Sequence, residues 1–346
     1  MVTMEEIARQ SGVTRQTVSA VLNNKDWVSE KTRRRIEQVI EKNNYSPNPH
    51  AKSLAGQSSK LIGVIVRDIR NPFFTQLIDA VEELLTPEGY TVLYINTRES
   101  HQNEVDAIRN LIAYRVDGVI ITPVSGGPSL DHLWALSQQK KPFVSIEEVP
   151  GIKGNYVTFD EERAGFLAAE HLIRQGHRRI CCLRGPDSAS SAEARLTGFK
   201  DALLTYNVKF DGSMIAPAGH RPEDGYRAAR KILTGKASAE GGPEPFTAMI
   251  CFSDFVAIGV YQAAHELNVR IPERLSVVGF DDIEISELLA PSLTTVRLPI
   301  ATMGQRLAEI LLEAIRLKNK QAEPVHELLE PTLIERQSVK QLNNQT

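Results

Sequence analysis

Residues 3–24 read Thr3-Met-Glu-Glu-Ile-Ala-Arg-Gln-Ser-Gly-Val-Thr-Arg-Gln-Thr-Val-Ser-Ala-Val-Leu-Asn-Asn24. Thr3 and Glu6 stand at the S/T-x-x-E spacing that marks a helix start. Ser11-Gly12 ends that helix, because a glycine takes the left-handed cap conformation at no steric cost. Thr14 then caps a second helix. A third helix fits Glu30 to Asn43, with Ile36, Val39 and Ile40 on one face. Ile7, Ala8, Val13, Val18, Val21 and Leu22 close a small core against it. Two short helices across a tight turn, the second with a polar outer face, form the shape that enters the DNA major groove.

With Val18 at the centre of the buried face, a turn of about 100° per residue puts Val21 and Leu22 beside it. Gln16, Ala20 and Asn23 fall on the opposite side, and Ser19 on the flank. Thr14, Arg15 and Gln16 occupy the helix start, which reaches base edges in this motif. Gln pairs with adenine and Arg with guanine. The alternative reading is a solvated helix face.

Next comes Asn48-Pro-His-Ala-Lys-Ser-Leu-Ala-Gly56. Asn48 is an N-cap, Pro49 sits at the first helical position, and Gly56 closes the segment. So short a helix is unstable alone and is expected to order only against a partner. Ala51 and Leu54 share one face, while His50 and Lys52 are placed to approach phosphate. Residues 1–60 hold ten Lys or Arg against six Asp or Glu, so a head of +4 sits on a remainder of −7. A basic head on an acidic body suits contact with phosphates.

From Leu61 the pattern alternates. Apolar strands fit Leu61–Val66, Thr91–Ile95, Gly118–Ile121, Pro142–Ile146, Ile180–Leu183, Thr247–Cys251 and Ser276–Gly279. Helical periodicity fits Phe73–Leu85, Gln102–Tyr114, Leu130–Gln138, Ala164–Arg174, Arg195–Tyr206, Gly225–Leu233, Val256–Glu266 and Met303–Leu317. Such alternation predicts parallel sheets covered on both faces. It restarts near Asp160, which predicts two similar lobes. At 346 residues the chain is too long for one core of ordinary size. Ligands in such sheets bind outside the carboxyl ends of the strands. Asn71-Pro-Phe-Phe74 opens a helix there, so Phe73 or Phe74 can offer an aromatic surface to a ligand, or pack in the core.

Several stretches together resemble the LacI–GalR (lactose/galactose repressor) family. They are Val13–Asn23, Val28–Arg33, Tyr45–Asn48, Asn71–Phe74, Val116–Gly118, Gly176–Arg179, Val277–Asp282 and Leu293–Val296. In order and spacing they span residues 3 to 339. The resemblance implies an N-terminal all-α helix-turn-helix domain at 1–47 and a hinge helix with linker at 48–60. It further implies a two-lobed α/β core at 61–340 resembling periplasmic sugar-binding proteins, and a tail at 341–346. Lobe 1 would hold about 61–160 and 291–320, and lobe 2 about 161–290 and 325–340. It also implies a repressor that binds a pseudo-palindromic operator in double-stranded DNA as a homodimer. Leu54 would wedge into the minor groove and kink the duplex.

A small-molecule effector would bind between the lobes, gripped by Arg195 and Asp281, with Ser191 and His220 at further pocket positions. Asp160 stands where one lobe hands over to the other. An internal salt bridge is the competing role for Arg195 and Asp281. Ala20 departs from the family's common Arg, which puts the operator's bases in doubt. Ala189 stands where purine-responsive members carry Arg, so a sugar or sugar derivative is the expected effector. A purine, or a partner protein, is the alternative.

Other classes fit less well. No dinucleotide fingerprint, phosphate-binding loop or nucleophile elbow is present, so an enzyme is not expected. The eight histidines lack metal spacing and no cofactor is implied. Gly126-Gly127 reads as a turn. The three cysteines form no CxxC and read as reduced core residues of a cytoplasmic protein. No apolar run approaches the roughly 18 residues of a membrane span. A solute receptor would share the two lobes, but no signal segment is apparent, and the helix-turn-helix head argues against it. Residues 337–346 show no leucine heptad, so a coiled-coil tetramer is not expected.

Overall fold

The structure, a computed structural model, describes residues 2–22, 24–45, 58–124, 129–187, 189–235, 245–317 and 323–342. Asn23, His50, Ala51, Lys52 and Leu54, and with them the expected hinge helix, lie outside the described residues, as does Gly126-Gly127. The chain divides into two compact units, residues 1–60 and 61–346.

The first unit is three helices: α1 (Met4–Gln10), α2 (Arg15–Leu22) and α3 (Glu30–Lys42). The Thr3 hydroxyl accepts the Glu6 N–H at 3.2 Å. Glu6 does not reach back; its carboxylate holds Arg9 and Gln10, so only half of the capping box forms. Gly12 takes φ 62°, the left-handed turn expected of it. Thr14 caps α2 through the Thr17 N–H. Ile7, Val18 and Ile36 are fully buried, and Val13, Leu22, Val39 and Ile40 close the edges. That shared core fixes the angle between α1 and α2.

The second unit holds two six-stranded sheets. In chain order the first lobe builds β1 (Leu61–Val66), α4 (Pro72–Leu85), β2 (Thr91–Asn96), α5 (His101–Ala113), β3 (Gly118–Ile121), α6 (Asp131–Gln138), β4 (Phe143–Ser145) and β5 (Asn155–Phe159). The second builds α7 (Glu161–Arg174), β6 (Ile180–Arg184), α8 (Ser190–Thr205), β7 (Ile215–Pro217), α9 (Pro222–Leu233), β8 (Ala248–Cys251), α10 (Asp254–Glu266), β9 (Ser276–Asp281), α11 (Ile285–Leu288) and β10 (Thr294–Arg297). Then α12 (Ile300–Leu317) and β11 (His326–Leu329) return to the first lobe, and β12 (Thr332–Ile334) to the second. The sheet orders are β11-β5-β4-β3-β1-β2 and β12-β10-β9-β8-β6-β7. All neighbours are parallel except β12 against β10. Central strands such as β1 are apolar throughout because both faces are covered.

The expected lobe boundaries need correction. β10 belongs to the second sheet and pairs with β9, while β11 belongs to the first and pairs with β5. The chain therefore crosses after β10 and again after β11. The reason is compositional: Thr294-Thr-Val-Arg297 and His326-Glu-Leu-Leu329 are short and half polar, and carry little strand signal. Several helices also begin earlier than periodicity suggests, and some of those starts are fixed by side-chain caps. Asn71 accepts the Phe73 N–H at 3.1 Å, Asp160 the Arg163 N–H at 2.8 Å, and Ser253 the Val256 N–H at 3.3 Å.

Glycines set the helix spacing of the second lobe. A Cβ on Gly165 of α7 would lie 2.1 Å from the Arg195 carbonyl oxygen, and one on Gly198 of α8 only 1.9 Å from that of Glu162. The device repeats between α9 and α10, where Gly225 faces the Val256 oxygen and Gly259 the Pro222 oxygen. Backbones in such contact leave no room for side chains between them. As a result Arg195 and Glu161 are brought to the same end of their helix pair.

Candidate functional site

In the first unit, Thr14, Arg15 and Gln16 stand exposed at the start of α2, as expected, and Ser19 is half-buried on its flank. Arg15 ion-pairs with Glu5 of α1 at 3.1 Å, with both side chains about two-thirds exposed. Ala20 corrects the helical-wheel reading: it is only 5% exposed and belongs to the core of the unit. Its one-carbon side chain sits below longer neighbours. The chain also turns back at its level, with Asn24 at φ 50° and the Lys25 N–H on the Ala20 carbonyl at 2.9 Å.

In the second unit a cleft of about 610 Å³, partly open to solvent, lies where loops leave strands of both sheets. The first lobe contributes Phe73, Phe74 and Phe159, and the second Ser191, Arg195 and Asp281. Phe73 stacks edge-on to Phe74 and Phe159, with centroids 5.1 and 6.2 Å apart. These rings form an apolar wall. Both expected phenylalanines therefore line the cleft, through one capped helix start.

Arg195 is 7% exposed and held by three hydrogen bonds. Its Nε and Nη2 donate to the Glu161 carboxylate at 2.6 and 3.2 Å, and its Nη1 donates to the Phe252 carbonyl at 2.5 Å. The guanidinium packs over Phe252 and Phe280, 5.2 and 4.5 Å from their centroids. Asp281 comes within 3.8 Å of Nη2, an ion-pair distance without a hydrogen bond. Burial drives the Asp281 carboxyl well above the ordinary range, and the Arg195 charge opposes that only in part. Its backbone is unusual as well. Asp281 has φ 100° and Asp282 φ 59°, conformations that cost non-glycine residues of order 1–3 kcal/mol and recur at binding sites.

Asp254, at the start of α10, lies in the interior near these groups. It accepts hydrogen bonds from the Ser286 and Thr295 hydroxyls, both at 2.6 Å, and from the Ile283 N–H at 3.1 Å. Burial pushes its carboxyl up to about 7 even so. This network ties the loop after β9 to the helix after β8, and so positions Asp281.

Asp160 does not line the cleft. It caps α7, and its neighbour Glu161 takes the cleft position instead. The preference of Asp for N-caps would have separated these two consecutive acids. Glu147 and Arg67, at the ends of β4 and β1, line the cleft without having been singled out from the sequence. His220 lines an adjoining compartment of about 350 Å³ that shares Arg67, Asn71, Phe74 and Phe252 with the main cleft. Contacts among the described residues join the lobes across the opening. The Ser190 hydroxyl donates to Glu147, and Arg221 pairs with Asp68 at 3.2 Å.

A helix-turn-helix unit joined in one chain to a two-lobed core with a cleft at its strand ends defines a DNA-binding transcription regulator with an effector domain. Known proteins agree. Residues 3–48 match the model for bacterial regulatory proteins of the lacI family, and residues 169–339 that for a periplasmic binding protein-like domain. The HTH-type transcriptional repressor PurR of Vibrio atlanticus is 32% identical over 99% of this chain and 100% of its own length. The lac repressor dimer bound to operator and the anti-inducer ONPF superposes with a TM-score of 0.83 at 29% identity, covering 98% of this chain and 99% of that one. A LacI family regulator of Enterococcus faecium with bound ribose gives 0.72 at 29% identity, over 82% of this chain and 100% of that one. The chain belongs to the LacI family of bacterial transcription regulators. Among the described residues no helix is long and apolar enough to cross a membrane.

Proposed function

We propose that this regulator is a repressor that binds a pseudo-palindromic operator as a homodimer, and that a sugar or sugar derivative in the cleft sets its affinity. The observation that carries the effector reading is the pairing of an aromatic wall with charged groups across one cleft. Phe73, Phe74 and Phe159 offer ring surfaces, and Glu161, Arg195 and Asp281 offer hydrogen-bonding groups at the opposite side. A sugar presents apolar C–H faces and a rim of hydroxyls, so it suits both. The ribose-bound relative from Enterococcus faecium supports that class of ligand.

Arg15 and Gln16 read bases, and Leu54 of the hinge segment wedges the operator centre. Ligand biases the closure of the lobes, and by its differential affinity for the two arrangements it shifts operator binding. The protein works in the cytoplasm, with the chromosome. Calorimetry of the full chain against a panel of pentoses, hexoses, disaccharides and a purine base tests the effector class. Binding of a sugar that also shifts operator affinity supports the proposal; binding of the purine alone contradicts it. Leu54→Ala should weaken specific binding and reduce DNA bending, and an unchanged bend would remove Leu54 from the wedge role.

A further inference from the structure

Arg67 follows β1 and lines both the main cleft and its narrower compartment. Its side chain is 14% exposed, yet its Nε and Nη1 are shielded from solvent and find no hydrogen-bond partner. The Glu99 carboxylate stands 4.0 Å from Nε, an ion-pair distance without a hydrogen bond. Asp68, next in the chain, is taken: it holds Arg70 through two bonds of 3.0 and 2.8 Å, and Arg221 through one of 3.2 Å. His220, from the second lobe, lines the same compartment, and both of its ring nitrogens are also shielded and unbonded. Ala189 adds no polar group there.

Two nitrogen-bearing groups from opposite lobes thus share one compartment with their hydrogen bonds unmade. Buried polar groups in folded proteins are nearly always hydrogen-bonded, and leaving them unbonded is costly. A guanidinium in that position is matched by a carboxylate or phosphate, which accepts its donors in parallel. We infer that the effector carries an anionic group, a carboxylate or a phosphate on the sugar, and that Arg67 with His220 receives it. Arg67 is then the residue that separates a charged sugar from its neutral parent, while Arg195, Glu161 and Asp281 hold the ring.

This rests on the reading of the cleft as a sugar site, so the test uses matched pairs. Calorimetry of the full chain compares ribose with ribose 5-phosphate, glucose with glucose 6-phosphate, and galactose with galacturonate. At least one charged member should bind about tenfold tighter than its parent. Which pair shows it distinguishes phosphate from carboxylate. Arg67→Met should bring that member to within roughly threefold of the parent, weakening the charged sugar far more than the neutral one. Neutral sugars binding as tightly as their charged partners, or a variant that weakens both equally, would overturn the inference and leave the sugar reading intact. If no sugar of either kind binds, the sugar reading fails and the anion inference with it. Thermal melts without ligand supply a second readout. Arg67→Met and Arg67→Gln should melt close to wild type, because without ligand the Nε and Nη1 hydrogen bonds of Arg67 are unmade. A lower melting temperature in both would give Arg67 a structural role and contradict the inference.

Discussion

Arg195 gives two of its hydrogen bonds to Glu161, while Asp281, across from it, stands 3.8 Å away without one. The position that matches the family's ligand-gripping arginine is therefore already clamped, and clamped by a residue one place beyond the expected Asp160. A ligand meets a fixed guanidinium with two carboxyl groups around it rather than a free cation.

That relationship makes Arg195 both a structural residue and a lining residue of the cleft. Arg195→Ala leaves Glu161 and Asp281 buried together without their counter-charge. It should lower the stability of the ligand-free protein by about 3–5 kcal/mol, as breaking buried pairs does. Effector binding should be lost as well. Thermal melts without ligand check the first effect, and an unchanged melting temperature would show that the pair contributes nothing to the fold.

Asp254 predicts a pH dependence. Its folded carboxyl titrates at about 7, against about 3.9 in an unfolded chain. The folded state therefore holds a proton that the unfolded state has lost over that window. The stability Asp254 contributes is full below about pH 4 and is lost as pH rises toward 7. Burial raises Asp281 in the same sense. Asp254→Asn can keep the Ile283 and Ser286 bonds through its oxygen, and should flatten the pH dependence of the melting temperature between pH 5 and 8. A variant with wild-type slope would assign that slope to other groups.

The glycine contact between α7 and α8 should tolerate no side chain. Gly165→Ala places a methyl against the Arg195 backbone oxygen. Backbone cannot rotate away as a side chain can, so the cost should reach the upper part of the usual 1–3 kcal/mol for overpacking. Moving α8 also moves Arg195, so effector affinity should fall together with the melting temperature. Melts and calorimetry on the same preparation check both, and an alanine variant with wild-type values would mean that the helices separate freely.

Much of this was legible in the sequence, and the gaps have physical causes. Leu61–Val66 and Gly118–Ile121 were readable to the residue because continuous apolar runs mark strands buried on both faces. β5, β7, β10, β11 and β12 were not, because short strands with polar residues look like loops. Phe73 and Phe74 could be placed from Asn71 and Pro72, which fix where the helix starts. Glu161 could not be preferred over Asp160 by charge alone; only the capping role of Asp160 separates them. Ala20 misled because a helical wheel ignores side-chain length and the path of the chain beyond Asn23. Arg67 left no local signal, since what marks it is that its Nε and Nη1 go without hydrogen bonds in the folded cleft.

In the DNA-reading unit, Gln16 is exposed on the outer side of α2. Gln16→Ala should relax base preference at one position per half-site by about 1–3 kcal/mol, while binding to random DNA stays the same. Binding to a set of single-base operator variants checks it. A uniform loss across all variants would mark a phosphate contact instead.

The central claim is that ligand in the cleft controls DNA binding, and one titration tests it most directly. An operator is selected from genomic fragments with the full chain, and its affinity is measured by fluorescence anisotropy as the sugar identified by calorimetry is added. Coupling of about 1–3 kcal/mol, a shift of about 5- to 150-fold in operator affinity, is predicted. A sugar that saturates the cleft and leaves operator affinity unchanged would contradict the account.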